Sequence, residues 1–326
     1  MASKRIPRGW YYNSTNAKFE FGVYNADGDV YAPFDEDGLI IPYVGGEVYF
    51  VDTNAGSDAA SGGSWSTAFA SLSVALAASH ANIAASSKGW AARNRIYFKG
   101  DITATADGED LTAFAQKTDV IGVGSTDWKA KPQLVGNHVV GSTVSYMGCR
   151  FINIMFKGPV AEGGDIFTIT GQHGIEFIGC EFMGDSTIAA TAAIVATACV
   201  GLKIDGCEFK GAFSDAVIEI GAGQADDLRI KNNFIQGADM GIDISGSATY
   251  AANKNGIIEG NVISSTLACI NDALATTFVL KNNLRTAAAK GTAMAGCIVC
   301  GITYAQDNRC TTSNANNVVY PAEGTI

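Results

Sequence analysis

One octapeptide occurs twice. Ile175-Glu176-Phe177-Ile178-Gly179-Cys180-Glu181-Phe182 returns 27 residues later as Leu202-Lys203-Ile204-Asp205-Gly206-Cys207-Glu208-Phe209. A period of this size marks a repeat architecture. One unit cannot bury its own apolar face, so neighbouring units stack to form a continuous core. The series extends in both directions. Aligned on the first inward residue, it runs Phe151, Phe177, Ile204, Ile230, Ile258, Leu280 and Tyr304, at spacings of 26, 27, 26, 28, 22 and 24 residues. Five residues after the anchors come Phe156, Phe182, Phe209, Ile235, Ile263 and Arg285. A second strand per unit is expected at 165–169, 193–196, 216–220, 241–244, 268–271 and 296–299. Successive units then pair as parallel strands roughly 4.8 Å apart, with like side chains in columns.

Two further columns follow from the alignment. The turn after the first strand carries Cys180, Cys207, Asn233, Asn261 and Asn283. Side-chain amides there are expected to bond to one another and to the turn backbone, and asparagine tolerates left-handed geometry. The outward column reads Arg150, Glu176, Lys203 and Arg229, then Ile257 and Val279. Opposite charges on adjacent rungs attract by a few tenths of a kcal/mol. The change to Ile257 and Val279 suggests an apolar contact surface.

Composition limits the function classes. Charged residues are 17% and hydrophobic ones 47% of the 326, so the chain forms a core and is not a disordered one. The net charge of −10 argues against coating nucleic acid, which needs a clustered basic surface. The basic N-terminus has no apolar stretch behind it, and no long uncharged apolar window occurs. Neither a secretory signal nor a membrane span is expected. Of the eight cysteines only Cys297 and Cys300 form a CxxC, and His80, His138 and His173 lie far from it. Buried apolar thiols are the better reading than zinc ligands.

Residues 1–46 differ from the rest. Eleven of the 31 aromatic residues lie in the first 50. The segments 19–24 and 30–31 flank Asn25-Ala26-Asp27-Gly28-Asp29, which reads as a hairpin. Aromatic residues concentrate in interface cores, so Trp10, Tyr11, Tyr12, Phe19, Phe21 and Tyr24 are the expected partner-binding residues of an N-terminal arm. Residues 47–326 then form one solenoid domain. It opens with a strand at 47–51, a Gly/Ser loop, a helix near 67–79 and a strand at 95–98. Phe69, Leu72, Leu76 and Ile83 line the helix's apolar face, and Ser64 or Ser66 is its N-cap. The segment 128–140 reads as a long loop or a distorted early coil.

Residues 48–77 resemble the opening of proteins of the pectate-lyase-like superfamily. The likeness lies in Val51-Asp52, Asn54-Ala55-Gly56-Ser57-Asp58, Gly63, Phe69, Ser71-Leu72 and Ala75-Leu76. The resemblance implies an all-β chain folded as a right-handed parallel β-helix, with the short N-terminal helix capping its end. It says little about function, because the fold hosts lyases, hydrolases, adhesins and phage structural proteins.

Enzymatic readings were weighed on particular residues. Gly171-Gln172-His173-Gly174, Asp226-Asp227 and Arg229-Ile230-Lys231 resemble fragments of the pectin-hydrolase motifs. The order is wrong, Gln172 stands where glycine is expected, and Arg229 belongs to the charge column. Glycoside hydrolysis needs two carboxylates about 5–10 Å apart. Glu181 and Glu208 align on adjacent rungs and are expected to point outward. Glu219 and Asp243 align on another face, and Asp205 shares a column with Glu259. All read equally as solvated acids. Asp27-Gly28-Asp29 and Asp35-Glu36-Asp37-Gly38 lack the spacing of a calcium loop and read as turns. The sequence therefore assigns no catalytic residue, cofactor or metal. The expectation is a structural protein on a bacteriophage particle, a capsid decoration protein or a tail-spike or fibre component, located at the virion surface. Its expected partners are the major capsid protein, other virion proteins and itself as a homotrimer, with a host surface glycan as a further ligand and neither nucleic acid nor membrane. The alternative is a polysaccharide-binding or polysaccharide-degrading β-helix protein.

Overall fold

The structure, a computed structural model, describes residues 8–13, 18–24, 30–33, 46–85, 92–103, 117–124, 131–140, 148–158, 163–184, 189–223, 225–236, 240–244, 254–265, 268–272, 277–281, 283–285, 298–300, 304–306 and 309–310. From Val48 onward it is an all-β parallel solenoid with, among the described residues, a single α-helix. Three parallel sheets run along it. The first has ten strands, from Val48–Asp52 to Tyr304–Gln306. The second has nine, from Asp101–Thr103 to Arg309–Cys310, and the third seven, from His138–Val140 to Ile298–Cys300. Strand order within each sheet follows chain order, so successive turns add successive rungs. Five successive turns between Arg150 and Asp272 each carry all three strands.

The register follows the sequence columns. Phe151 pairs with Phe177, then Ile204, Ile230, Ile258 and Leu280. Phe156 pairs with Phe182, then Phe209, Ile235, Ile263 and Arg285. The last anchor is corrected: Leu280 pairs with Ala305, while Tyr304 pairs with Val279 in the neighbouring column. The segment 128–140 also contributes regular rungs, Gln133–Val135 and His138–Val140.

Inward residues of the three sheets meet along the axis. Phe151 and Phe177 stack at 5.4 Å, Phe156 and Phe182 at 5.0 Å, and Phe182 and Phe209 at 4.8 Å. Phe167 of the third sheet meets Phe156 and Phe177 edge-on at 5.3 and 5.0 Å. One rung's ring is thus covered by the next rung's ring, and Phe151, Phe156, Phe177, Phe182 and Phe209 are fully buried. Each such burial stabilises by roughly 1.5–3 kcal/mol. Further along, Ile230, Ile235 and Ile242 continue the same positions as an aliphatic core.

The turn between the first and second sheets holds the amide ladder. Asn233 donates to Asn261 Oδ1 and Asn261 to Asn283 Oδ1, both at 2.9 Å. Their second amide protons go to the backbone carbonyls of Ile204 and Ile230, and Asn283 donates to Ile258. Each of these carbonyls belongs to the anchor one rung earlier. The cysteines follow the same rule, Cys180 Sγ donating to Phe151 O and Cys207 Sγ to Phe177 O. The left-handed residue is not the ladder residue but the one before it: Asn153, Gly179, Gly206, Asn232 and Gly260 have φ between 55 and 69°. That keeps the ladder side chain aimed inward, where its amide replaces lost backbone partners.

The helix spans Leu72–Ala85, five residues later at its start than expected. The residue that caps it is Ser71, not Ser64 or Ser66. Ser71 Oγ accepts from Val74 N, while Asp58 Oδ1 accepts from Ala70 N and Ser71 N. Ser64 instead precedes a 3-10 turn, Trp65–Thr67, and makes no side-chain cap bond there. Phe69, Leu72, Leu76 and Ile83 are buried as expected, although Phe69 lies outside the helix and bridges to Val51. Phe50 N donates to Gly62 O, Asp52 N to Phe69 O, and Phe69 N to Phe50 O. The outer edge of the first strand is therefore paired, which removes an open template for aggregation. Below it a buried polar joint fixes the helix: Asn94 donates to Ser79 O and Oγ, and Ser79 Oγ lies 2.7 Å from Thr118 Oγ1.

Ahead of the solenoid, Arg8–Asn13, Lys18–Tyr24 and Val30–Pro33 form a three-stranded antiparallel sheet. The expected hairpin joins the second and third of these strands, and the first is an addition to it. The Asn25–Asp29 turn lies outside the described residues, as do the acidic run at 35–38 and residues 311–326.

Candidate functional site

Three regions were singled out by sequence: the N-terminal aromatic residues, the paired carboxylates and the outward columns. In the N-terminal sheet the register opposes Trp10 to Phe21, Tyr12 to Phe19 and Tyr11 to Glu20, and Tyr24 pairs with Val30 beside an irregularity. Four of the six expected partner-binding residues thus stand opposite one another in register on adjacent strands.

The carboxylates divide sharply. Glu181 and Glu208 do occupy adjacent rungs, as their alignment requires. Glu181, however, is fully buried, and so is its neighbour Met155, 2% exposed, on the rung before. The expected outward, solvated pair does not exist. Glu208 is half-buried and meets Lys210 Nζ at 2.7 Å. On the first sheet Asp119 receives Arg150 through two bonds of 2.7 and 2.5 Å, and Arg93 Nη2 at 2.6 Å. Burial raises the Asp119 carboxyl, but the two guanidiniums outweigh it and hold it below the usual range. Lys203 pairs with Glu176, and Lys231 lies 3.4 Å from Glu259. Asp205 accepts from Asn232 Nδ2 and is separated from Glu259 by the Lys231 rung. The expected charge column thus holds two rung-to-rung ion pairs, Arg150 with Asp119 and Lys203 with Glu176, while Arg229 is exposed.

The third sheet differs. Glu219 pairs in register with Asp243, both half-buried, and Asp243 accepts from Asn271 Nδ2 at 2.9 Å. Burial pushes the Glu219 carboxyl up, and the charges of Asp215, Asp165 and Asp243 add to it. Asp165 is also raised, chiefly by burial. Here acids meet acids, and a carboxyl so placed holds its proton to higher pH.

The hydrolase-like fragments are turn elements. Gly171 and Gly174 take left-handed conformations, His173 O accepts from Gly148 N, and His173 bridges to Val200. Asp226 O accepts from Gly201 N, and Asp227 has φ 56°. His173 and Asp226 precede strands two rungs apart, with the Lys203–Asp205 rung between them.

The alignment missed the second outward column of the first sheet. Phe50, Tyr97, Ile121, Ile152 and Ile178 stack there over five rungs, half-buried, before Asp205, Lys231 and Glu259 take over. Its first rung joins an aromatic corner. Phe50 packs on Tyr97 at 5.7 Å and on Trp65 at 4.9 Å, and Lys99 Nζ sits 4.5 Å over the Trp65 ring while pairing with Asp52 at 2.9 Å. The signal was present as an apolar residue two places after each charged one. On the expected contact surface, Ile257 is half-buried, and the Val279 side chain lies outside the described residues. Cys149, Cys180, Cys199, Cys207 and Cys269 are buried thiols. Cys297 and the Cys300 side chain fall outside the description.

No family model, curated protein or solved structure is significantly similar to this chain.

Proposed function

We propose that this chain is a non-enzymatic structural protein of a bacteriophage particle surface, a capsid decoration protein or a tail-spike or fibre component. One observation carries the reading. On the first sheet the aligned acids are tied into rung-to-rung ion pairs, so the charges serve the stack. The apolar column beside them leaves a lateral surface suited to protein contact. The solenoid, residues 47–326, is the body in this reading, right-handed and closed at one end by the Leu72–Ala85 helix. Residues 1–46 are the anchor, through Trp10, Tyr11, Tyr12, Phe19, Phe21 and Tyr24. Its partners are the major capsid protein and further copies of itself in a homotrimer. The resemblance of residues 48–77 and the register of the aromatic residues in the ribbon support the same view.

Mass spectrometry of purified particles tests it. The protein is expected as a stoichiometric component, and its absence from particles ends the proposal. Deleting residues 1–46 should leave a solenoid with unchanged circular dichroism that no longer adds to particles. If the deleted chain unfolds, the ribbon is a structural cap and the anchor assignment is wrong.

One observation favours a second reading, a polysaccharide-degrading protein. Glu219, raised by burial and by Asp215, Asp165 and Asp243, has the character of a general acid beside an aligned carboxylate. This reading requires oligosaccharide release from a glycan panel and its loss in Glu219→Gln. Inertness across the panel removes it.

A further inference from the structure

The turn ladder contains one pair of cysteines on adjacent rungs, and the geometry points to a disulfide staple between Cys180 and Cys207, closed by exchange with a small-molecule disulfide such as oxidised glutathione. Register fixes the pair from both sides: Phe177 pairs with Ile204 before it and Glu181 with Glu208 after it. Glu208 N donates to Cys180 O at 2.9 Å, which holds the two turns together at the cysteines themselves. Neighbouring parallel rungs lie roughly 4.8 Å apart, inside the window of about 4.4–6.8 Å that a disulfide spans between Cα atoms. The two thiols face the same way, each donating to the anchor carbonyl one rung earlier, at 3.3 and 3.5 Å.

The turns have room to close the remaining distance. Gly179 and Gly206 precede the cysteines, and nothing lies within 4 Å of where a Cβ would stand on either. At the asparagine rungs this is not so: a Cβ on Gly260 would come within 2.8 Å of Asn232 Oδ1. Elsewhere Cys149 precedes Ile175 in its column, Cys199 lies beside Gln172, Cys269 beside Gly241, Cys300 pairs with Asp272 and Cys310 with Arg285.

Burial raises both thiols. Lys131 Nζ donates to Gly179 O at 2.9 Å, which places a positive charge at the turn that holds Cys180. Cys180, the thiol next to that charge, attacks as the thiolate. Its sulfur forms a bond to one sulfur of the glutathione disulfide, whose S–S bond breaks and releases one glutathione thiolate. Cys207 then gives its proton to solvent and attacks Cys180 Sγ in the mixed disulfide, releasing the second glutathione. Two protein thiols are oxidised and one glutathione disulfide is reduced to two thiols. Both cysteines are at most 2% exposed. The exchange accordingly takes place while the rungs are still closing, and the completed stack then shields the bond.

The test is refolding of the full chain from urea in glutathione buffers of increasing oxidised fraction. Acid-quenched digestion and peptide mapping follow. The expected result is a linked 180–207 peptide, loss of two alkylatable thiols, and a higher urea midpoint for the oxidised chain. Cys180→Ser and Cys207→Ser should each abolish the link. The wild-type peptide map needs no variant to fold, so it decides alone. Full alkylation of both thiols at every buffer ratio, or random linkage among the cysteines, overturns the staple.

Discussion

Asn261 is fully buried and its side chain takes part in four hydrogen bonds. It donates to Ile230 O and Asn283 Oδ1, both at 2.9 Å, and accepts from Asn233 N at 3.0 Å and Asn233 Nδ2 at 2.9 Å. Asn261→Leu keeps the branched shape, though it is bulkier, and removes all four. Two of the partners keep another bond: Asn283 Oδ1 still accepts from Asn261 N, and Asn233 Nδ2 still donates to Ile204 O. The other two, Ile230 O and Asn233 N, lose the partner this side chain supplied. At about 1–3 kcal/mol for each orphaned buried group, the cost is about 2–6 kcal/mol. Asn261→Cys restores a donor to Ile230 O, as Cys207 does for Phe177 O, and should cost about half as much. Urea denaturation followed by circular dichroism measures both, and hydrogen exchange at the Asn233 amide reports the local effect. Protection there should fall in either variant. A leucine variant within about 0.5 kcal/mol of the parent, or a cysteine variant as costly as leucine, would refute the ladder's energetic role.

Phe182→Ala removes a ring stacked between Phe156 and Phe209, and should cost about 3–5 kcal/mol in the same assay; Phe234→Ser, at a 41% exposed position, should change little. Asp119 titrates below its ordinary 3.8 in the folded state, so its contribution is fully present above that pH and is lost as pH falls through the folded value. Asp119→Asn should therefore melt lower than the parent at pH 7, and the two should converge in strong acid. Glu219 behaves oppositely. Its folded pKa lies above 4.5, so ionisation opposes folding as pH rises past that value. Glu219→Gln should be the more stable protein at pH 7 and indistinguishable below pH 4.5; a destabilised variant at pH 7 would contradict the acidic-patch argument.

The core of this protein was legible from its chain because a solenoid places like residue on like residue. Phe177 over Phe151 and Phe182 over Phe156 were readable as spacings, and the spacing is the register. The charge column was legible for the same reason, since Lys203 must follow Glu176 wherever Ile204 follows Phe177. Legibility failed where the period varied. The spacings of 22 and 24 near the end left one residue of freedom, and Ala305 rather than Tyr304 completes the anchor column. The helix start was misplaced because two serines precede the one that accepts from Val74, and the choice between them rests on Asp58, twelve residues upstream of Ala70.

The candidate site was less legible. Alignment put Glu181 and Glu208 on one outward column, and that much is correct. Exposure is not a property of the column. It depends on what lies over the sheet at each rung, and Glu181 is buried while Glu208 reaches solvent. Likewise the sequence placed Glu219 beside Asp243. Asp215 lies four residues before Glu219 along the chain, but only the fold brought Asp165 near enough to raise its pKa, because residues 54 apart meet when turns stack. By itself the sequence determined which residues share a column, a consequence of a repeat along one dimension. The tertiary structure decided which columns are covered, paired or left open, because those depend on segments that the repeat does not contain.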